Sequence, residues 1–240
     1  MKHPVIASVA RMIRDGDARE AETALVAVAD KEGDLVLAQV IEAMPPRDLV
    51  AILREHDSSR SSVVGELITP ERFVAAVAME AKYNDPTHDA LRGMINMVIF
   101  REDDPDSFIE ALGRSEAGLL ALVDYFSDRH EELESFFQHG TFSHLDEAPA
   151  EVPEDDRDLA DAEMGSSFRQ PKDNLDEVQD RDWRELAWRL RCEHYETFAE
   201  LLRIMRARAR RAAASVTPPA AAAKSSDSDA NPDDKEESFI

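Results

Sequence analysis

Pro46-Arg47-Asp48-Leu49-Val50-Ala51-Ile52-Leu53 decides the reading of the chain. A proline opens it, two apolar residues follow at the third and fourth positions after it, and another arrives at the seventh. The phrase returns as Pro70-x-x-Phe73-Val74-x-x-Val77 and as Pro105-x-x-Phe108-Ile109-x-x-Leu112. Apolar residues three, four and seven positions on lie along one face of an α-helix. Proline suits the first helical position, because the N–H it lacks has no intrahelical partner there. The phrases stand 24 and 35 residues apart, which is no regular array. They predict short helices stacked as a superhelix or bundle.

The same spacing spreads outward from these phrases. Leu37, Val40, Ile41 and Met44 carry it, as do Leu91, Met94, Ile95 and Val98, and then Leu119, Val123 and Phe126. No stretch alternates apolar and polar residues between hairpin turns, and Asn-Gly and Asp-Gly are absent, so the expected fold class is all-α. Thr69 before Pro70 and Asp85 before Pro86 are placed as N-caps. An all-α domain is expected over residues 1–139. Between Asp146 and Asp180 there are 13 acids against 3 bases, which reads as a flexible acidic linker over 140–180. One long amphipathic helix is expected over 181–214, with Trp183, Ala187, Leu190, His194, Phe198, Leu201 and Met205 in a narrow seam of coiled-coil type. Thr217-Pro218-Pro219 stops it, and 215–240 reads as a disordered acidic tail.

Composition bounds the function. The chain has 240 residues, with 28 Lys+Arg against 51 Asp+Glu, a formal net charge of −23. A polyanion of that size opposes non-specific contact with nucleic acid or anionic membrane. Hydrophobic residues make up 43%, enough for a core. No apolar run approaches the ~18 residues of a membrane helix, and the run Val5–Ala10 is too weak for a signal peptide. The single cysteine, Cys192, excludes an internal disulfide and suits a reducing, cytoplasmic, bacterial-type setting.

Catalytic motifs are scarce. No Gly-x-Gly-x-x-Gly, phosphate loop or Gly-x-Ser-x-Gly elbow occurs, and Cys192 lies in an Arg-rich helix without the strand-to-turn context of a nucleophile. Among seven histidines, His130 and Glu134 stand one helical turn apart, with His139 and His144 nearby. Imidazole and carboxylate at that spacing are donors for zinc or iron. The sequence is not His-Glu-x-x-His, and His130-Glu131-Glu132 continues a charged surface face, so the expectation is no bound metal or cofactor. The acids from Glu102 to Asp106 lack the ligand spacing of a calcium loop and suit a helix N-terminus instead. Arg203, Arg206, Arg208, Arg210 and Arg211 form the one basic patch, and no aromatic residue is interleaved with them. An acidic protein surface fits it better than nucleic acid does. The end of the chain, with Phe239 and Ile240 after an acidic run, has the form of a peptide gripped by its free carboxylate.

Residues 37–53, Leu-Ala-Gln-Val-Ile-Glu-Ala-Met-Pro-Pro-Arg-Asp-Leu-Val-Ala-Ile-Leu, resemble the cytoplasmic N-domain of MgtE-type magnesium transporters. That domain is a superhelix of short helices, related to flagellar motor switch proteins. The likeness covers about a fifth of the chain around Ala29–Ala81, and no paired regulatory domains or membrane segments follow it. It implies a fold, a helical superhelix used as an interaction or regulatory surface, and neither transport nor metal ligands.

These readings converge on a non-enzymatic adaptor, assembly or regulatory subunit. Its partner-binding residues are placed at Trp183, Leu190, Phe198, Leu201, Met205, Phe239 and Ile240, with pairing of two copies through the C-terminal helix as one outcome. Direct nucleic-acid contact and membrane insertion are not expected. The alternative is a metal-dependent enzyme or sensor built on His130, Glu134, His139 and His144.

Overall fold

The computed structural model describes residues 3–56, 62–83, 85–100, 104–142, 175–178 and 182–216. Every regular element among them is helical, and the fold is all-α. The helices are α1 (Pro4–Asp15), α2 (Ala18–Glu32), α3 (Asp34–Ala43), α4 (Pro46–Glu55), α5 (Val63–Leu67) and α6 (Pro70–Glu80), with a 3-10 turn at Ala81–Tyr83. Then follow α7 (Asp89–Ile99), α8 (Pro105–Arg114), α9 (Glu116–Tyr125), α10 (His130–His139), α11 (Leu175–Val178), α12 (Trp183–Glu193) and α13 (Tyr195–Val216).

The proline phrases begin helices as predicted. Pro46, Pro70 and Pro105 open α4, α6 and α8. The apolar triplets point inward: Leu49, Val50 and Leu53, Phe73 and Val77, and Phe108, Ile109 and Leu112 are all buried. These helices also pack in sequence, α2 on α4, α4 on α6 and α6 on α8, making one row. The intervening helices form a second row, α3 on α5, α5 on α7 and α7 on α9. The rings of Phe73 and Phe108 meet edge to face at 5.8 Å, joining α6 to α8 across the first row. Burying one face of each short helix against its neighbours supplies the stability that a ten-residue helix lacks in water.

Two caps differ from expectation. Thr69 precedes α6, but its hydroxyl donates to Glu42 Oε2 at 3.2 Å instead of capping. No helix starts at Pro86. Asp85 accepts from the Thr87 amide at 3.0 Å and from its hydroxyl at 2.9 Å, closing an Asx turn that delays α7 until Asp89. Near the change of composition, α10 ends at His139 and Gly140 takes the left-handed conformation at φ 76°.

The predicted single helix over 181–214 is two. It breaks at His194, where φ −130° and ψ 49° leave the helical region and the amide donates to Arg189 and Leu190 carbonyls. A straight helix of that length would run about 50 Å. The break turns the apolar face back onto the core, with α13 lying on α8, α9 and α10. Leu186, Ala187, Leu190, Phe198, Leu201, Leu202 and Met205 share one hydrophobic core with Ile6 through Phe136. Two pieces of the acidic segment are described, and both are packed. Phe142 stacks on Phe136 at 4.0 Å, and Val178 of α11 is buried. The rest of that segment and residues 217–240, including Phe239 and Ile240, lie outside the described residues.

Candidate functional site

The C-terminal helices meet the stack through apolar contacts ringed by charge. Phe198 of α13 touches the rings of Phe136 and Phe137 on α10, at 6.4 and 6.3 Å. Beside it, Arg206 makes a two-pronged pair with Glu134, at 2.5 and 2.6 Å. Arg208 pairs with Asp124 on α9. Arg191 is buried, donates to the carbonyl of Phe136 and lies 4.7 Å over its ring. A charge buried to this depth requires hydrogen bonds and a polarizable neighbour, and α10 supplies both.

This geometry redistributes the sequence-predicted sites. Of the metal alternative, His130 and Glu134 do face each other, with Nε2 3.6 Å from Oε1. Both Glu134 oxygens, however, are already occupied by the Arg206 guanidinium, which neutralises the donor a metal would need. His139 ends α10, and His144 lies outside the described residues. Of the partner-binding set, Leu190, Phe198, Leu201 and Met205 are buried inside this chain, so while α12 and α13 are docked no partner touches them. Trp183 is half-buried against Phe142, with Arg129 and Arg184 over its indole. The Cys192 thiol is pushed up to about 11 by burial, so at neutral pH it is protonated and a poor nucleophile.

A different donor set forms at the joint between α12 and α13. Asp106 sits in the first turn of α8, and the helix break places Glu193 and His194 against it. His194 Nε2 lies 3.2 Å from Asp106 Oδ1, and one donor atom from each of the three residues falls within 4.8 Å of the others. Burial, followed by the nearby Asp106 carboxylate, holds the Glu193 carboxyl above the usual range. Arg189 pairs with it at 3.7 Å and is held more closely by the buried Glu185, at 3.1 and 3.2 Å. From the sequence alone, Asp106 reads as one of the helix-start acids and His194 as part of an apolar seam. The available signal was a histidine where that seam wanted a leucine.

Beyond Arg208, whose side chain is the last on α13 to pair with the stack, the helix is exposed. Arg208, Ala209, Arg210, Arg211 and residues 212–215 are exposed, and Arg210 and Arg211 have no ion-pair partner among the described residues. No helix among those residues is long and apolar enough to cross a membrane. No family model matches the chain, and neither a curated protein nor a solved structure does.

Proposed function

We propose that this protein is a non-enzymatic adaptor or assembly subunit that grips an acidic protein surface with the projecting end of α13. One observation carries the reading. The apolar seam of the C-terminal helices is used up within the chain, while the last turns of α13 extend into solvent with Arg210 and Arg211 uncovered. The helix dipole accounts for cations near a helix C-terminus, yet it does not require the helix to outrun the body that stabilises it. In a chain of net charge −23, a local cationic arm steers an acidic protein and is of little use for holding nucleic acid. The likeness of residues 37–53 to the MgtE-type N-domain supports the same kind of use, a helical stack serving as an interaction surface.

The test is charge reversal on the arm. Full-length protein and the Arg210→Glu/Arg211→Glu variant are compared for partner capture at low and high salt, with helicity checked by circular dichroism. Capture that weakens at least tenfold on reversal, and falls with salt, supports the reading. A partner held equally by both proteins removes the arm from the interaction. Monomeric behaviour and no stoichiometric partner for either protein overturns the adaptor reading itself.

A further inference from the structure

We propose that Asp106, Glu193 and His194 bind a divalent transition-metal ion, Zn²⁺ in preference to Mg²⁺, clasping the α12–α13 joint onto α8. The donors arrive from elements 87 residues apart, and one pair, Asp106 Oδ1 and His194 Nε2, is 3.2 Å apart. That separation is what two donors sharing one ion with bonds of about 2.0–2.2 Å would have. An imidazole nitrogen beside two carboxylates favours zinc over magnesium, which takes oxygen ligands almost exclusively.

The surroundings supply an independent reason. Along the junction of the C-terminal helices with the stack, Glu134 is covered by Arg206 and Asp124 by Arg208. At the joint, two carboxylates face each other, Asp106 pairs with His194 at 3.2 Å, and Glu193 has only the long 3.7 Å contact of Arg189. Arg189, the one arginine near enough, is fixed on the other side by buried Glu185. Glu193 is thus held more loosely than Glu134 or Asp124, and the donor types present suit a metal ion. The site lies at the surface, so the coordination positions left open would be filled by water.

The experiment uses full-length protein stripped with a chelator and titrated with Zn²⁺, then with Mg²⁺, by calorimetry and by thermal unfolding. The expected result is one equivalent of Zn²⁺ bound with a rise in Tm, and Mg²⁺ binding at least a hundredfold weaker. His194→Gln and Glu193→Gln are each expected to weaken Zn²⁺ binding tenfold or more, with circular dichroism showing an unchanged helix content. His130→Gln is the control and should leave binding unchanged. Substituted Co²⁺ should show visible absorption of low-coordinate nitrogen and oxygen ligation, absent in His194→Gln. Zn²⁺ uptake unaffected by both joint variants, or lost in His130→Gln alone, would overturn the proposal. So would no uptake at all. These readouts are independent of the Arg210 and Arg211 arm, so the two proposals fail separately.

Discussion

The two-row stack from α2 to α9 and the α12–α13 pair that lies across its end share one apolar core and differ in how far along the sequence their polar contacts reach. Within the stack, helix meets helix through aliphatic and aromatic side chains such as Leu49, Val77 and Phe73 against Phe108. Polar cross-links there join near neighbours in the sequence, such as Arg54 to Glu80, His56 to Glu22 and Arg92 to the Tyr125 carbonyl. At the closing end, a similar apolar seam is joined by charge-assisted contacts reaching across long stretches of sequence, Arg206 to Glu134, Arg208 to Asp124 and Arg191 to the Phe136 carbonyl. Apolar packing is non-directional and tolerates many registers. Charged pairs and a buried guanidinium fix one register at modest energetic gain. Apolar burial therefore holds the protein together, and the long-reaching polar contacts fix where its last helices sit.

The largest expected effect tests the apolar half. Phe73→Ala removes a fully buried ring in the first row and should cost about 3–5 kcal/mol, lowering the denaturation midpoint of the whole domain in urea. Next comes steric access at the closing end. A methyl added at Gly113 on α8 would run into the Thr197 side chain on α13. Gly113→Ala should destabilise by about 1–2 kcal/mol, and Thr197→Ala in the same chain should recover most of the loss. No recovery would mean the α8–α13 contact is looser than described. A smaller effect is expected of Arg206→Ala, about 1 kcal/mol or less for a partly exposed pair, measured by denaturation and reduced in high salt.

The smallest effect is one of sign. Glu80, buried at the end of α6, has its carboxyl raised above the usual range by burial, against the opposing pull of Arg54. A raised carboxyl means the folded chain binds more protons than the unfolded one between the ordinary and the raised value. That contribution to stability is present at lower pH and is lost as pH rises through the raised value. Wild type should therefore lose Tm, relative to Glu80→Gln, as pH is raised from about 5 to 7. Parallel pH profiles would show that Arg54 fully compensates the burial.

Much of this was legible because a helix writes its buried face into its own sequence. The three proline phrases gave both the start and the inward face of α4, α6 and α8. The change of composition near His139 coincides with the end of α10. The break at His194 was not legible, because the 4-3-4 apolar spacing runs straight through it and periodicity reports faces, not the path of the axis. Asp85 was misread for a related reason. An Asx turn and an N-cap use the same residue type, and only the partner of its carboxylate tells them apart. The joint site was out of reach, since no local pattern links Asp106 to residues 193 and 194. His130 and Glu134, by contrast, advertised themselves by spacing, and a guanidinium from residue 206 had already claimed the carboxylate.

The order of the helices also bears on synthesis at the ribosome. Translation runs from the N-terminus, so α2 to α9 can assemble while the last helix does not yet exist. Tyr195, the first residue of α13, is made 70 residues after α9 ends at Tyr125. At ~5–20 residues per second, that gap is roughly 4–14 s. Through that interval the faces of α8 and α9 that α13 will cover are bare, and a nascent chain offers its open edge to chaperones or to neighbouring chains before its own C-terminus arrives.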